Sequence, residues 1–333
     1  MARVAINGLG RIGRAALRLI LESKELELVA VNDIAPADNI AYLVKYDSVY
    51  GRYGEDVYAK DGALQVDKKS FKFLSEKDPA ALPWKDLKVD IVIESTGRFT
   101  EKQDAAKHLQ AGAQYVIISA PTKSEDVPTV VFGVNDSKKE DSIISCASCT
   151  TNSLTPVVEV IGRTLGIQKA IMTTVHGYTA GQSIVDGPNK NLRRGRAGAI
   201  NIVPTTTGAA VATTKALPQY AGKFDGVALR VPVPVGSVSD VVLLTEKSTT
   251  KEEVNDILTK ESGTSRYRDI IRVTNDPIVS SDIIGDPHAC IIDLQMTKVV
   301  DGNLVKIFAW YDNEWGYTNQ MIRQAKDIAK NIK

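Results

Sequence analysis

Near the middle of the chain runs ISCASCTTNSLTP, Ile144–Pro156, with Cys146 and Cys149 three positions apart. That spacing serves a metal knuckle, a redox pair, or one nucleophile with a bystander. A closed zinc site takes about four ligands. The other soft candidates are His108, His176, His288 and Cys290, and none forms a second paired motif. His288 and Cys290 flank Ala289 in DPHACIID, which reads as a strand entering the core, with a buried thiol and a surface imidazole. His108, in AAKHLQAG, reads the same way on a helix face. No metal is expected. The three cysteines are an odd number and point to free thiols in a reducing cytoplasm.

The element around Cys149 decides what its sulfur can do. A strand-like SIISCA leads into it, and Leu154, Val157, Val158, Ile161 and Leu165 follow at helical spacing, with Gly166 as a stop. Ser148 is a natural N-cap, and Pro156, near the first turns, leaves the start free to slip by a few residues. Cys149 therefore stands at the positive end of a helix, where a thiolate is favoured. The helix end contributes only roughly 0.3–1 kcal/mol, so a working nucleophile needs a partner. His176, following the strand-like AIMTTV, is the candidate base. A lone His after a strand is also commonly structural, and spacing alone does not set the contact.

The N-terminus carries a second chemistry. RVAIN runs into Gly8, Gly10 and Gly13, spaced G-x-G-x-x-G, then into a helical pattern with Ile12, Ala16, Leu19 and Ile20. A further strand, LELVAVND, ends at Asp33, twenty residues past Gly13. Strand, glycines, helix and acid together are a dinucleotide signal. Gly8 permits the turn, Gly10 admits the pyrophosphate, and Gly13 lets helix pack on strand. Asp33 can accept from ribose hydroxyls and would repel a 2′-phosphate, favouring NAD over NADP; its plainer reading is a turn-forming Asp. VDIVIEST, the helix KQDAAKHLQAG and YVIISA continue the alternation with little polar patterning, as buried parallel strands do.

The first half is thus expected to be α/β, a Rossmann-type doubly wound parallel sheet over residues 1–149. A second, α+β domain over 150–314 is expected to carry a largely antiparallel sheet, with strands in GVALRVPV, SDVVLLTEK and KIFAWY. Residues 315–333 are expected to form an amphipathic helix that returns to the first domain. The size, 333 residues, fits two domains. Hydrophobic residues at 43% support a real core, and a net charge of +1 favours neither nucleic acid nor membrane. No apolar run is long enough to span a bilayer, and a strand beginning at Arg3 leaves no room for a signal peptide.

ASCTTN (Ala147–Asn152) with TTVHGYT (Thr173–Thr179) closely resembles the phosphorylating glyceraldehyde-3-phosphate dehydrogenases. So do INGLGRIGR (Ile6–Arg14), KYDSVYGR (Lys45–Arg52), ESTGRFT (Glu94–Thr100) and WYDNEWGY (Trp310–Tyr317), in order along nearly the whole chain. The resemblance implies a glycolytic or gluconeogenic, cytoplasmic, homotetrameric oxidoreductase that needs neither membrane nor nucleic acid. It would convert glyceraldehyde 3-phosphate, NAD and inorganic phosphate to 1,3-bisphosphoglycerate through a thiohemiacetal and a thioester. Cys149 would be the nucleophile and His176 the acid–base group. Thr179 and Arg230 would hold the substrate phosphate, and Ser148, Thr150, Arg194, Thr207 and Gly208 the second anion. Besides Gly8, Gly10 and Gly13, cofactor contacts would come from Arg11, Ile12, Asp33, Lys77, Ser119 and Asn313. VDGPNK (Val185–Lys190) resembles the loop of NAD-using members, which reaches across a subunit interface.

The chain departs from the family at two places. Ser153 stands where a cysteine is often found, and VPVGSVSD follows ALRVP in place of the usual run, leaving the strand of Arg230 less defined. Cys146 matches no catalytic position. It reads as a bystander, and a Cys146–Cys149 disulfide formed under peroxide is the alternative to test. Rival functions are an erythrose-4-phosphate dehydrogenase, an acyl-phosphate-forming semialdehyde dehydrogenase, and a non-catalytic nucleotide-binding protein.

Overall fold

A computed structural model describes residues 1–332 and divides them into two compact units. One gathers Met1–Phe132, Ser137–Ala147 and the chain from Met321; the other holds Gly133–Asp136 and Ser148–Gln320.

In the first unit the strands Ile143–Ser145, Tyr115–Ile118, Ile91–Glu94, Ala2–Asn7, Leu26–Asn32 and Lys69–Leu74 lie side by side and all parallel. Ala63–Val66 and Val57–Lys60 extend the edge as an antiparallel hairpin. Near-continuous burial of Ala2–Asn7 and Ile91–Glu94 marks strands covered on both faces. From the central strand Ala2–Asn7 the chain steps to Leu26–Asn32 on one side and later returns to Ile91–Glu94 on the other. That reversal opens a crevice beyond the carboxyl ends of the two strands, where ligands of doubly wound sheets bind. Gly8 and Ser95 are the residues that emerge there.

The second unit is built on Val203–Thr206, Phe224–Val231, Ile167–Gly177, Ser237–Thr245, Leu304–Tyr311, Cys290–Asp293 and Ile271–Thr274, in that spatial order. Most neighbours are antiparallel, but Ile167–Gly177 pairs in parallel with Phe224–Val231, and Ile271–Thr274 with Cys290–Asp293. Burial alternates along Leu304–Tyr311, so one face of this sheet is packed and the other open. The helix Cys149–Leu165 is buried along most of its length.

Helix and strand ends explain where the units divide. The expected break after residue 149 falls instead between Ala147 and Ser148. Ser148 caps the helix, its Oγ accepting from Thr151 N at 3.1 Å, and so travels with Cys149 into the second unit. The cap also fixes the helix start at Cys149, although Pro156 lies within the helix. The final helix, Trp315–Asn331, was expected to belong whole to the first unit, but Trp315–Gln320 group with the second. Asp312 accepts from Trp315 N at 2.8 Å and Gln320 donates to the Pro287 carbonyl at 2.9 Å, tying that first stretch to its own sheet's loops.

Candidate active site

Cys149 opens the helix Cys149–Leu165, and the Thr150 hydroxyl and the backbone N–H groups of Thr150 and Cys149 all favour its thiolate. Its Sγ stands 3.3 Å from Nε2 of His176. His176 is held near the end of Ile167–Gly177 and is 3% exposed. The parallel pairing places Arg230 directly beside His176 in register. Arg230 Nη1 reaches His176 Nδ1 at 2.6 Å and donates to the Gly177 carbonyl at 3.0 Å. The same carbonyl lies 2.7 Å from Nδ1. A guanidinium only donates, whereas a carbonyl only accepts, so these two neighbours ask opposite things of Nδ1.

Burial pushes the Cys149 thiol up, against the pull of Arg230, the Thr150 hydroxyl and the helix-end N–H groups. It pulls His176 down to about 3, with Arg230 adding to the shift and the Gly177 carbonyl opposing it. The expectation that the helix end would lower the thiol is therefore reversed, since desolvation outweighs a helix-end effect of roughly 0.3–1 kcal/mol.

Behind this pair lies Tyr311, inside the WYDNEWGY motif, whose spacing gives no sign of a role for it. Its buried hydroxyl lies 2.8 Å from both Thr150 Oγ1 and Thr174 Oγ1, and its ring meets His176 edge-on. The Thr150 hydroxyl is thereby shared between Tyr311 and the Cys149 sulfur. Asn313 is also buried, its Oδ1 accepting from Gly236 N and Ser237 Oγ, and Ser237 Oγ accepts from Gly177 N. Phe224–Val231 remains a regular strand through Arg230 despite the altered run that follows it.

Of the remaining anion-site candidates, Arg194 donates from Nε to Thr205 Oγ1 at 2.9 Å and lies close enough to Arg230 to repel its charge. Thr207 Oγ1 accepts from Ala209 N, and Gly208 is the cap of the helix Ala209–Ala216, without a side-chain cap bond. Thr179 is exposed at the start of the following loop.

In the first unit, Gly8 has φ +93°, and a Cβ there would stand 2.6 Å from Thr96 N. A Cβ on Gly13 would meet the Gly8 carbonyl at 1.9 Å. These two glycines are fixed by close approach, whereas nothing lies within 4 Å of the corresponding point on Gly10, leaving room for phosphates. Asp33 accepts from Leu9 N at 2.7 Å and Ala35 N at 2.9 Å, and each oxygen keeps a lone pair for hydroxyls. A cavity of about 540 Å³ joins Gly8, Gly10, Asp33, Lys77, Thr96 and Phe99. Arg11 and Ile12 begin the adjoining helix, with Arg11 ion-paired to Asp47 and over the ring of Tyr50. Ser119 follows Tyr115–Ile118 and donates its N–H to the Glu94 carbonyl.

The other thiols and imidazoles are placed as follows. Cys146 is buried and its thiol is pushed up to about 12, and Cys290 is buried and pushed up as well. His288, half-buried, is held by Asp286 at 2.7 Å. His108 was expected at the surface and is instead fully buried, because the Trp84 indole, the Glu94 carboxylate and Asn7 enclose it. Among the described residues no three His, Cys, Asp or Glu side chains cluster as metal ligands.

Residues 2–102 match the family model for the glyceraldehyde 3-phosphate dehydrogenase NAD binding domain, and 148–313 the model for its C-terminal domain. Relatives called glyceraldehyde-3-phosphate dehydrogenase include one from Thermotoga maritima, 52% identical over 97% of both chains. One from Streptomyces coelicolor is 51% identical over 96% of both, and one from Geobacillus stearothermophilus is 48% identical over 98% of both. The glycine crevice falls inside the first matched stretch and the Cys149–His176 pair inside the second, and with about half of all residues identical along nearly the full length, the chain belongs to the glyceraldehyde-3-phosphate dehydrogenase family.

Proposed function

We propose that Cys149 and His176 carry the phosphate-dependent oxidation of glyceraldehyde 3-phosphate to 1,3-bisphosphoglycerate in this chain. The NAD-dependent oxidoreductase activity, a step of glycolysis, follows from the family; the assignment of its chemistry to these residues rests on the 3.3 Å sulfur–imidazole contact at a helix N-terminus. NAD suits the crevice, since Gly10 leaves open space and Asp33 presents a carboxylate. When bound, NAD supplies the hydride acceptor.

The Cys149 sulfur attacks the aldehyde carbon as its proton passes to the carbonyl oxygen, forming a thiohemiacetal. His176 takes that hydroxyl proton as the carbon gives up hydride, and a thioester remains. The N–H groups at the helix start face the developing oxyanion. Phosphate oxygen then attacks the thioester carbon, the C–S bond breaks with the sulfur taking back the proton held by His176, and the acyl phosphate leaves.

Arg230 and Arg194 repel one another, a charge arrangement that an anion relieves. An anion that draws Arg230 to itself leaves the Nδ1 proton to the Gly177 carbonyl and presents the Nε2 lone pair to Cys149. Thr179 and Arg230 are assigned to the substrate phosphate, and Ser148, Thr150, Arg194, Thr207 and Gly208 to inorganic phosphate. For Thr150 the backbone N–H is assigned as the donor, its hydroxyl being shared between Tyr311 and the Cys149 sulfur. Arg11, Ile12, Lys77, Ser119 and Asn313 remain assigned to the cofactor. The working test is NAD reduction with glyceraldehyde 3-phosphate, run with and without phosphate and against erythrose 4-phosphate. Reduction independent of phosphate, or a preference for the four-carbon sugar, would overturn this assignment.

Asp33 sets cofactor choice. Asp33→Ser should lower kcat/KM with NAD about tenfold and raise the NADP-to-NAD ratio, since a 2′-phosphate no longer meets a like charge. Steady-state kinetics with both cofactors checks this, and an unchanged ratio refutes it.

The chain is assigned as a homotetramer. Ile171 and Val211, each over half exposed, border a depression of about 890 Å³ on the second sheet's side. Val227 is over half exposed as well, and Ile184, Val185, Leu192 and Ile200 are more exposed still. Such apolar surface is what a subunit contact covers. Light scattering at micromolar concentration should give four times the chain mass; a monomer mass removes the assignment. Among the described residues no helix is long and apolar enough to cross a membrane, and a cytoplasmic location is assigned from the family.

A further inference from the structure

Beneath the glycine crevice runs a buried chain of polar side chains that the catalytic account does not use. Trp84 Nε1 donates to His108 Nδ1 at 3.0 Å. An indole N–H only donates, so Nδ1 accepts and the imidazole proton sits on Nε2. Nε2 then donates to Glu94 Oε2 at 3.1 Å. The Glu94 carboxylate receives three more donors: Asn7 Nδ2 at 2.6 Å on the same oxygen, and Thr96 N, at 2.8 Å, and Thr96 Oγ1 on the other. With its amide nitrogen committed to Glu94, Asn7 turns its oxygen to Asn32 Nδ2 at 2.7 Å. Asn32 in turn grips the backbone of Glu76, donating to its carbonyl at 2.9 Å and accepting from its N–H at 2.8 Å. Every donor and acceptor is fixed by its neighbour, from the indole to the loop that carries Lys77.

Trp84, His108 and Glu94 are at most 1% exposed, and Asn7 and Asn32 at most 3%. Polar groups so deep are expensive unless satisfied, and an apolar core would serve the sheet alone. The chain instead ends on the cavity's rim. Thr96 is the residue whose backbone stops a side chain at Gly8, and Ser95 Oγ donates to the Gly8 carbonyl at 2.7 Å. We infer that His108 is a positioning residue for the dinucleotide: through Glu94 it sets the Thr96–Gly8 approach and, through Asn7 and Asn32, the Glu76–Lys77 loop. The inference rests on the NAD reading of the crevice and adds a residue to it that does not line the cavity.

The test compares NAD binding and kinetics for wild type, His108→Phe and His108→Gln. Phe fills the space but supplies no donor, whereas Gln can present its NH₂ to Glu94 and its oxygen to Trp84. His108→Phe should raise both Kd and KM for NAD about tenfold, the scale of a lost hydrogen bond to a charged group. Its kcat at saturating NAD should stay within about twofold, since the rim and not the thiol is disturbed. Gln should recover most of the loss, and the rate of Cys149 alkylation should be the same in all three. A Kd for His108→Phe within twofold of wild type, or a fall in kcat with KM unmoved, overturns the inference while leaving the NAD reading intact. Absence of NAD binding by wild type would remove both. If His108→Phe does not accumulate as folded protein, Glu94→Gln carries the same test. It keeps the shape but replaces one acceptor with a donor, so an unchanged KM for NAD there refutes the inference.

Discussion

Cys149→Ser should abolish phosphate-dependent NAD reduction, lowering kcat by at least about a thousandfold, as loss of a covalent nucleophile does elsewhere. A serine hydroxyl neither ionises nor attacks as a thiol does, and a thioester cannot form on it. The variant should still bind NAD with wild-type affinity, because the glycine crevice and Asp33 belong to the first unit and the sulfur to the second. Initial-rate assays and an NAD titration on the same preparation check both halves. Activity within tenfold of wild type would mean that the carbon is oxidised without passing through this sulfur.

His176→Asn is the second large effect, expected to cost about 10²–10⁴ in kcat, the range of a general acid–base group. It should also change how the thiol titrates. Burial raises the Cys149 thiol, and with His176 gone nothing 3.3 Å away takes its proton. A raised thiol is mostly protonated at pH 7, so alkylation by iodoacetamide should be slow there and climb through pH 9. In wild type the imidazole is neutral at pH 7 and can take the thiol's proton as the sulfur attacks, so reactivity near pH 7 should be at least about tenfold higher than in the variant. Identical pH profiles for the two proteins would show that the imidazole does not serve the sulfur.

What the sequence made legible was mostly local. Gly8, Gly13 and Asp33 are read from one strand–turn–helix passage, and the close contacts that demand glycine lie within that passage or across the adjacent strand. Ser148 and Cys149 were readable because a cap and the residue it starts are neighbours in the chain. Arg230 was reached only through resemblance. Its contact with His176 depends on a parallel strand pair inside a sheet expected to be largely antiparallel, and period-2 patterning does not report direction. Tyr311 bonds to Thr150 across 161 positions, a separation no motif spacing encodes. His108 misled the reading because it lies in a mostly polar helix, Lys102–Gln110. What buries it is Trp84, from a loop before the strand Ile91–Glu94, and pattern on one helix gives no sign of that cover. The thiol was misjudged for a related reason, since desolvation belongs to the packed state and a helix end can be read from sequence.

Trapping the acyl-enzyme tests the central claim most directly. Wild-type protein, NAD and glyceraldehyde 3-phosphate are mixed without phosphate, quenched in acid and read by peptide mass spectrometry. A phosphoglyceryl thioester should appear on the peptide carrying Cys149, formed as NAD is reduced and discharged when phosphate is added before the quench. NAD reduction with no acyl group on Cys149, or with the group on Cys146 or Cys290, would contradict it.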